Sequence, residues 1–162
     1  MVNELNNKDY HVIFCGYDKF DHLSFLKNQI NERKLSNYFT FFDYLEDEEI
    51  IAIYLNSHAL VMPTFVGHYS LPLFESFYFK IPAFFTKDLL DESLTKYVYE
   101  IDTKIPSDLA KKLLELKSKK NEVENLKKEA YNFYNSFCSL SRIKKTYNDI
   151  FEEVIYFKSM WK

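Results

Sequence analysis

Glycine is scarce in this chain, which has only Gly16 and Gly67 among its 162 residues. A Walker A loop needs two glycines five positions apart, and a dinucleotide-binding fingerprint needs three close together. The sequence therefore excludes both of these phosphate-binding motifs. It excludes collagen-like repeats and glycine-rich linkers for the same reason.

Cysteine is equally rare, since only Cys15 and Cys138 are present and no C-x-x-C motif occurs. This spacing favours neither a disulfide framework nor a zinc site, so we expect two buried thiols in a reducing cytoplasm. The chain also lacks the run of roughly 20 apolar residues that a membrane span needs, and its polar amino terminus has no signal-peptide core. These features predict a cytoplasmic protein without a metal ion.

Neither sign of charge dominates the chain, because it contains 21 lysines and arginines and 24 aspartates and glutamates, which gives a net charge of −3. Without a basic surplus, nucleic acid is not expected as a partner. Aromatic residues are abundant at 19%, which favours a packed fold over disorder. The length suits one domain, or one domain of a larger enzyme.

Strand and helix patterns alternate along the first two thirds of the chain. Strands are predicted at residues 11–15, 39–42, 59–63, 81–86 and 97–101, with helices between them and a helical segment from Pro106 onward. The compact apolar run at 11–15 predicts a strand buried on both faces. This alternation predicts an α/β fold, a doubly wound, Rossmann-like parallel sheet with a C-terminal helical extension. Ligands should then lie beyond the carboxyl ends of the strands, at loops 16–18, 43–46 and 64–71.

The loop around Gly67 is the most informative of these. The sequence PTFVGHYSLPLFES leads from the third strand into a helix, with Ser70 as a plausible N-cap and Pro72 in the first turn. The free amide groups at such a helix start attract a phosphate, and Glu75 could accept hydrogen bonds from ribose hydroxyls. This combination suits a nucleoside diphosphate. An ordinary strand–loop–helix turn with a surface glutamate is the alternative.

The segment GHYSLPLFES resembles the donor-site segment of the retaining group 1 glycosyltransferases, which have the two-domain GT-B architecture. It aligns with the family form G-P-T-N-L-P-P-L-E-A, a variant of the E-x7-E motif, through Gly67, Ser70, Leu71, Pro72 and Glu75. The following KIPAFFTK resembles the family strand G-x-P-V-V-A-S, and HVIFCGYDKF and NYFTFFDYLEDEE are similar to its earlier segments. The order and spacing of these motifs cover most of the chain.

The resemblance implies a set of donor-binding residues and no catalytic or metal-binding residue in this chain. Glu75 would bind the donor ribose, the loop backbone at residues 68–71 would contact the diphosphate or the transferred sugar, and the loop at residues 42–44 would flank the base. The implied residues are Gly16, Phe42, Asp43, Tyr44, Gly67, His68, Tyr69, Ser70, Leu71 and Glu75. The substrate would be a nucleotide-diphosphate sugar, with no cofactor and no metal ion.

The chain also departs from the family pattern. The first glutamate of E-x7-E falls at Gly67, Asp43 and Lys80 stand where glycine is usual, and Tyr17 and Asp18 interrupt a G-x-G turn. Residues 1–9 do not resemble the family's first strand and its basic loop, and the N-terminal acceptor domain has no counterpart. The resemblance therefore implies that residues 1–162 are a single C-terminal donor-binding domain that is inactive alone.

The full enzyme would transfer a sugar to a glycan or lipid-linked acceptor held by an N-terminal domain. We expect a role in bacterial surface polysaccharide synthesis, in the cytoplasm or peripherally at the inner membrane. A non-catalytic binding or interaction module is the alternative, and a nucleotide-sugar epimerase of similar architecture is a more distant one.

Without the family's first strand, the five strands are expected in the order 2-1-3-4-5, with the first strand paired directly to the third. Phe157, Met160 and Trp161 of the terminal helix are expected to be exposed or buried in a homodimer contact.

Overall fold

The computed structural model describes residues 10–18, 21–65 and 70–161. These residues form two compact units. The first contains the described residues up to Ser57 together with Ile101–Ser118, and the second contains His58–Glu100 and the described residues from Lys119 onward.

Strands and helices alternate as the sequence predicts. In chain order the elements are β1 (Val12–Cys15), α1 (His22–Glu32), a 3-10 turn (Ser36–Tyr38), β2 (Phe39–Phe42), α2 (Asp47–Asn56), β3 (Leu60–Met62), α3 (Leu71–Tyr78), β4 (Ala83–Thr86), α4 (Glu92–Thr95), β5 (Tyr99–Ile101), α5 (Pro106–Ser118), α6 (Lys120–Phe137) and α7 (Leu140–Met160). Every predicted strand is present, and β2 begins and ends at the predicted residues. The α/β fold class is confirmed.

The strands form two parallel sheets in the described part of the chain. In one, β1 pairs with β2 in a register that joins Val12 to Phe39 and Cys15 to Phe42. In the other the order is β3-β4-β5, with Leu60 beside Ala83. The partial orders 2-1 and 3-4-5 agree with the prediction.

The predicted pairing of the first strand with the third is not among the ladders of the described residues. That prediction assumed that an unpaired central strand edge would be too costly. However, β1 has four residues and β3 has three, and neither strand contains a buried residue. β1 lies in the first unit and β3 in the second, so each ladder is described within its own unit.

The burial predicted for the first strand is wrong. Ile13 and Phe14 are 41% and 40% exposed, and Cys15 is exposed as well. Among the described residues this sheet has two strands, so little of its apolar surface is covered. The prediction of two buried thiols is wrong for the same reason at Cys15, while Cys138 is half-buried. The strand that is buried at all four residues is β4, the middle strand of the other sheet.

The core of the second unit lies between α3, β4 and α6. Leu73 and Phe77 are four residues apart on α3, so they share the helix face that packs with Ala83 and Phe85 of β4 and with Ala130 of α6. Aromatic rings extend this core, since Phe77 makes edge contacts with Tyr97 at 6.1 Å and Phe133 at 6.4 Å. This packing fixes the position of α3.

The terminal helix α7 begins at Ser139, whose hydroxyl accepts a hydrogen bond from the amide of Arg142. Every residue of α7 is exposed, which confirms the exposure expected for Phe157 and Met160, and Trp161 after the helix is exposed too. Among the residues that the structure describes, no helix is both long enough and apolar enough to span a membrane.

Candidate functional site

The start of α3 is the helix end that the sequence singled out, and the structure confirms Ser70 as its N-cap. Ser70 is extended, with φ −136° and ψ 142°, and Pro72 lies in the first turn. Within the described residues the Ser70 side chain does not cap the helix, because its hydroxyl instead points to the Met62 sulfur at 3.4 Å. The first-turn amides are therefore left uncapped by the side chain that usually satisfies them.

Two other helices have a carboxylate that accepts hydrogen bonds from their first-turn amides. At α1 the two oxygens of the Asp18 carboxylate accept hydrogen bonds from the amides of His22, at 3.0 Å, and Leu23, at 2.7 Å. At α4 the Asp91 carboxylate accepts from the Ser93 amide at 2.8 Å. A carboxylate already occupies the positive end of these helices, so the start of α3 is the better position for an added anion.

Glu75 lies one turn into α3, where it is half-buried. Leu73 and Phe77, on either side of it in sequence, are held in the core, so the packing of α3 fixes the backbone that carries the carboxylate. The rigid helix thus supplies amides at its start and a carboxylate one turn later. Such an arrangement can bind a phosphate and accept hydrogen bonds from neighbouring hydroxyls.

Tyr134 of α6 packs against α3, the helix that carries Glu75, and the sequence analysis did not find it. The pKa of its phenol is raised, mainly by burial and to a lesser extent by the negative charges that Cys138, Tyr78 and Glu75 would carry. The rings of Tyr78 and Tyr134 are 5.4 Å apart, so α3 and α6 meet here. Tyr134 therefore keeps its proton at neutral pH. No local motif marks it, because it comes from a separate helix late in the sequence.

A second group of predicted residues lies in the first unit, at the carboxyl ends of β1 and β2. The amide of Gly16 donates to the carbonyl of Phe42 at 3.0 Å, so the ladder between the two strands continues one residue beyond β1. Gly16 has φ +144°, a conformation that other residues rarely adopt. Asp43 and Tyr44 follow β2 and are exposed, and the Tyr44 hydroxyl donates to a Glu46 carboxylate oxygen at 3.4 Å.

Asp18 was noted in the sequence only as an interruption of a glycine turn. The structure gives it a definite role, since its carboxylate closes the start of α1. An aspartate just ahead of a helix is a recognised capping signal that could have indicated this. A phosphate at this helix would have to displace it.

The predicted donor-binding residues are therefore distributed as follows. Ser70, Leu71 and Glu75 belong to α3 and its cap in the second unit, and Gly16 and residues 42–44 lie in the first unit. Gly67, His68 and Tyr69 fall outside the described residues. Within the described ranges no cluster of three or more histidines, cysteines or carboxylates could hold a metal ion.

Comparison with known proteins places these features in one family. The profile of the family described as "Glycosyl transferases group 1" matches residues 1–133. A search of curated protein sequences finds no match.

Solved structures share the fold. A glycosyltransferase from Rickettsia africae is 16% identical, with a TM-score of 0.81 over 95% of this chain and 42% of its own. Anabaena HepE in complex with UDP is 11% identical, with a TM-score of 0.77 over 91% of this chain and 42% of its own. The C-terminal domain of the group 1 protein LpcC from Francisella tularensis is 18% identical, with a TM-score of 0.72 over 86% of this chain and 75% of its own.

The chain spans less than half the length of the Rickettsia and Anabaena structures. At these identities the structural likeness shows the fold, and the family profile, which covers most of the sequence, shows the relationship. This chain belongs to the group 1 glycosyltransferases.

Proposed function

We propose that this chain is the donor-binding domain of a retaining glycosyltransferase that takes a sugar from a nucleotide-diphosphate sugar. The observation that carries the proposal is α3, whose start is not closed by its N-cap side chain and whose Glu75 follows one turn later. Membership of the group 1 family supports the same role.

In the proposed complex, the diphosphate lies at the first turn of α3 and Glu75 accepts hydrogen bonds from the ribose hydroxyls. The backbone amides of Leu71 and Leu73 lie in the first turn and form part of the positive end of the helix, while Pro72 between them has no amide hydrogen. From the family resemblance, we propose that the loop at residues 68–71 contacts the diphosphate or the sugar and that residues 42–44 flank the base. The presence of UDP in the structure of Anabaena HepE supports a nucleotide as ligand.

The domain contributes binding and charge stabilisation rather than a nucleophile. As the bond to the sugar breaks, negative charge grows on the departing diphosphate, and preorganised amides stabilise that charge more in the transition state than in the substrate. We propose that no metal ion is needed for this. The described residues supply the positive end of a helix at the proposed phosphate position, which can stabilise negative charge.

The acceptor is proposed to be a glycan or a lipid-linked sugar in bacterial surface polysaccharide synthesis, bound by a second domain that completes the enzyme. The chain covers only 42% of two related structures, which leaves room in those proteins for such a domain. We propose a cytoplasmic location, with peripheral attachment of the full enzyme to the inner membrane.

A non-catalytic binding module is the second candidate. Two observations favour it. Gly67 stands where the family motif has its first glutamate, and Asp18 closes the start of α1, where the family has a glycine turn.

Titration calorimetry with UDP and GDP tests the proposal directly. Glu75→Ala should weaken binding of the preferred nucleotide by about 1–3 kcal/mol, the scale of a hydrogen bond to a charged group. The matched control is Glu152→Ala, which removes an exposed glutamate from α7 and should leave the affinity unchanged. Addition of EDTA should also have no effect on the affinity.

Each outcome is informative. If the folded wild-type chain binds neither nucleotide, the donor-binding proposal fails and the non-catalytic module is favoured. If wild type and Glu75→Ala bind equally well, Glu75 is not part of the site. Loss of binding in EDTA would contradict the metal-free proposal.

A further inference from the structure

The first turn of α3 is closed loosely by its backbone. The amide of Phe74 donates to the carbonyl of Ser70 at 3.5 Å, which is long for such a bond. At the other end of the helix, the amide of Phe79 donates to the Glu75 carbonyl at 2.9 Å. The Ser70 hydroxyl does not close the first turn either, because it points to the sulfur of Met62. The position of this turn therefore depends largely on side-chain contacts.

Phe74 connects the first turn of α3 to α6. It precedes Glu75 and is half-buried. Its ring stacks on the ring of Phe137, with the centroids 5.7 Å apart and the planes 15° from parallel. The Phe74 ring also meets Phe77 edge-on at 6.0 Å, so it links Phe137 to the core of the second unit. Because stacked aromatic pairs have a preferred geometry, this contact restricts how the first turn lies against α6.

Phe137 lies where three helices of the second unit meet. It is the last residue of α6, and its ring also stacks on that of Phe133, one turn earlier, at 5.4 Å. The guanidinium group of Arg142, in the first turn of α7, lies over the Phe137 ring at 4.6 Å from the centroid. A cation in this position is attracted by the electrons of the ring. The side chains of Phe74, Phe137 and Arg142 thus form a stack that joins α3, α6 and α7.

The opposite end of α3 is held in a different way. The amide of Ile81 donates to the Ser76 carbonyl at 2.8 Å, which closes the helix end through the backbone. Lys80, just after the helix, places its ammonium group 4.2 Å from the centroid of the Tyr131 ring of α6. Aromatic rings of α6 therefore contact both ends of α3, and Phe137 contacts the end at which the phosphate is proposed to bind.

We propose that Phe137, with Arg142 over its ring, is a positioning residue for the donor diphosphate. Phe137 acts through Phe74, which holds the first-turn amides in the orientation that the phosphate oxygens need. Hydrogen bonds to an anion weaken steeply with distance and angle, so a small shift of this turn lowers the affinity. This inference rests on the proposed donor site and adds to it a residue beyond the 1–133 range that matches the family profile.

Titration calorimetry with the diphosphate that the wild type binds, UDP or GDP, tests this role. Phe137→Ala should raise the dissociation constant about two- to tenfold, which is the range of one aromatic contact. The corresponding nucleoside has no phosphate for α3 to bind. Its dissociation constant, measured by competition, should therefore change by less than about twofold.

Tyr131→Ala is the matched control, because it removes an aromatic ring of the same helix from the opposite end of α3. It should leave the affinity for the diphosphate unchanged. Phe137→Tyr keeps a ring in the stack and should bind like the wild type. Arg142→Gln removes the cation and should weaken binding less than Phe137→Ala does. Phe137 is 36% exposed, so its variants should fold, which circular dichroism and chemical denaturation would verify.

The outcomes separate this role from the donor site itself. If the folded wild type binds neither UDP nor GDP, the donor-binding proposal fails and the role of Phe137 fails with it. If the wild type binds and Phe137→Ala binds equally well, the donor site stands and the role of Phe137 is overturned. Equal weakening by Phe137→Ala and Tyr131→Ala, or equal weakening of diphosphate and nucleoside, would show a general effect on the fold and would also overturn it. Unchanged affinity in Arg142→Gln would show that Arg142 takes no part.

Discussion

Single carboxylates carry much of the local order in the first unit. Asp18 closes the start of α1, and Asp108 near the start of α5 accepts hydrogen bonds from the Asp102 amide at 2.9 Å and the Lys112 ammonium at 2.8 Å. Such bonds favour the ionised carboxylate, because both donors stabilise its negative charge. At Asp108 they link the loop after β5 to the first turns of α5.

The hydrogen bond from Lys112, then the one from the Asp102 amide, lowers the pKa of Asp108 below its usual value. Since the folded state favours the ionised form, this stabilisation is present above the ordinary aspartate pKa of about 3.9 and is lost as pH falls through the lower folded value. Asp108→Asn should therefore lower the free energy of unfolding by about 1 kcal/mol at neutral pH. The difference from the wild type should shrink in acid.

Urea unfolding at a series of pH values would measure this. Asp149→Asn, on the exposed α7, serves as the control and should behave like the wild type throughout. A deficit for Asp108→Asn that is independent of pH would show that the ionised carboxylate is not what stabilises the turn.

Helix α3 is the element that joins the core to the candidate site. Its Phe77 is 1% exposed and touches both Tyr97 and Phe133, whereas Tyr78, the next residue, is half exposed. Phe77→Ala should lower the free energy of unfolding by about 3–5 kcal/mol, because it leaves a cavity among rings that cannot close it. Tyr78→Ala should have a much smaller effect. Chemical denaturation of both variants would measure the two free energies of unfolding. Equal decreases would contradict the placement of Phe77 in the core and Tyr78 at the surface.

At the scale of helices and strands, the sequence predicts which elements exist and of which type they are better than it predicts how deeply they are buried. The bounds of β2 and α2 could be predicted because acidic residues and aromatic runs mark them locally. The exposure of β1 could not be predicted from the sequence. An apolar run shows that its residues prefer burial, but it does not show whether neighbouring strands will cover them. The contact between Tyr78 and Tyr134 also depends on packing between α3 and α6, which no local pattern records.

In the molecule as a whole, burial is distributed unevenly. All four residues of β4 are buried in the middle of a three-stranded sheet, while every residue of α7 is exposed. Hydrogen exchange followed by mass spectrometry should therefore show β4 and α3 as the most protected segments. In dilute solution α7 should exchange fastest, because its amides open without disturbing a core.

Protection of α7 equal to that of β4 in dilute solution would contradict the exposure described for this helix.

The exposure of Cys15 has a practical consequence. Cys15 is the last residue of β1 and precedes Gly16, whose amide donates to the carbonyl of Phe42. The Cys15 thiol therefore lies close to the loop that is proposed to flank the nucleotide base. Partial desolvation raises the pKa of the thiol, so alkylation at neutral pH should be slow and should accelerate in alkali. The natural sequence thus provides a built-in attachment point for a fluorescent reporter, whose emission would change when a nucleotide enters and would give affinities from very small samples.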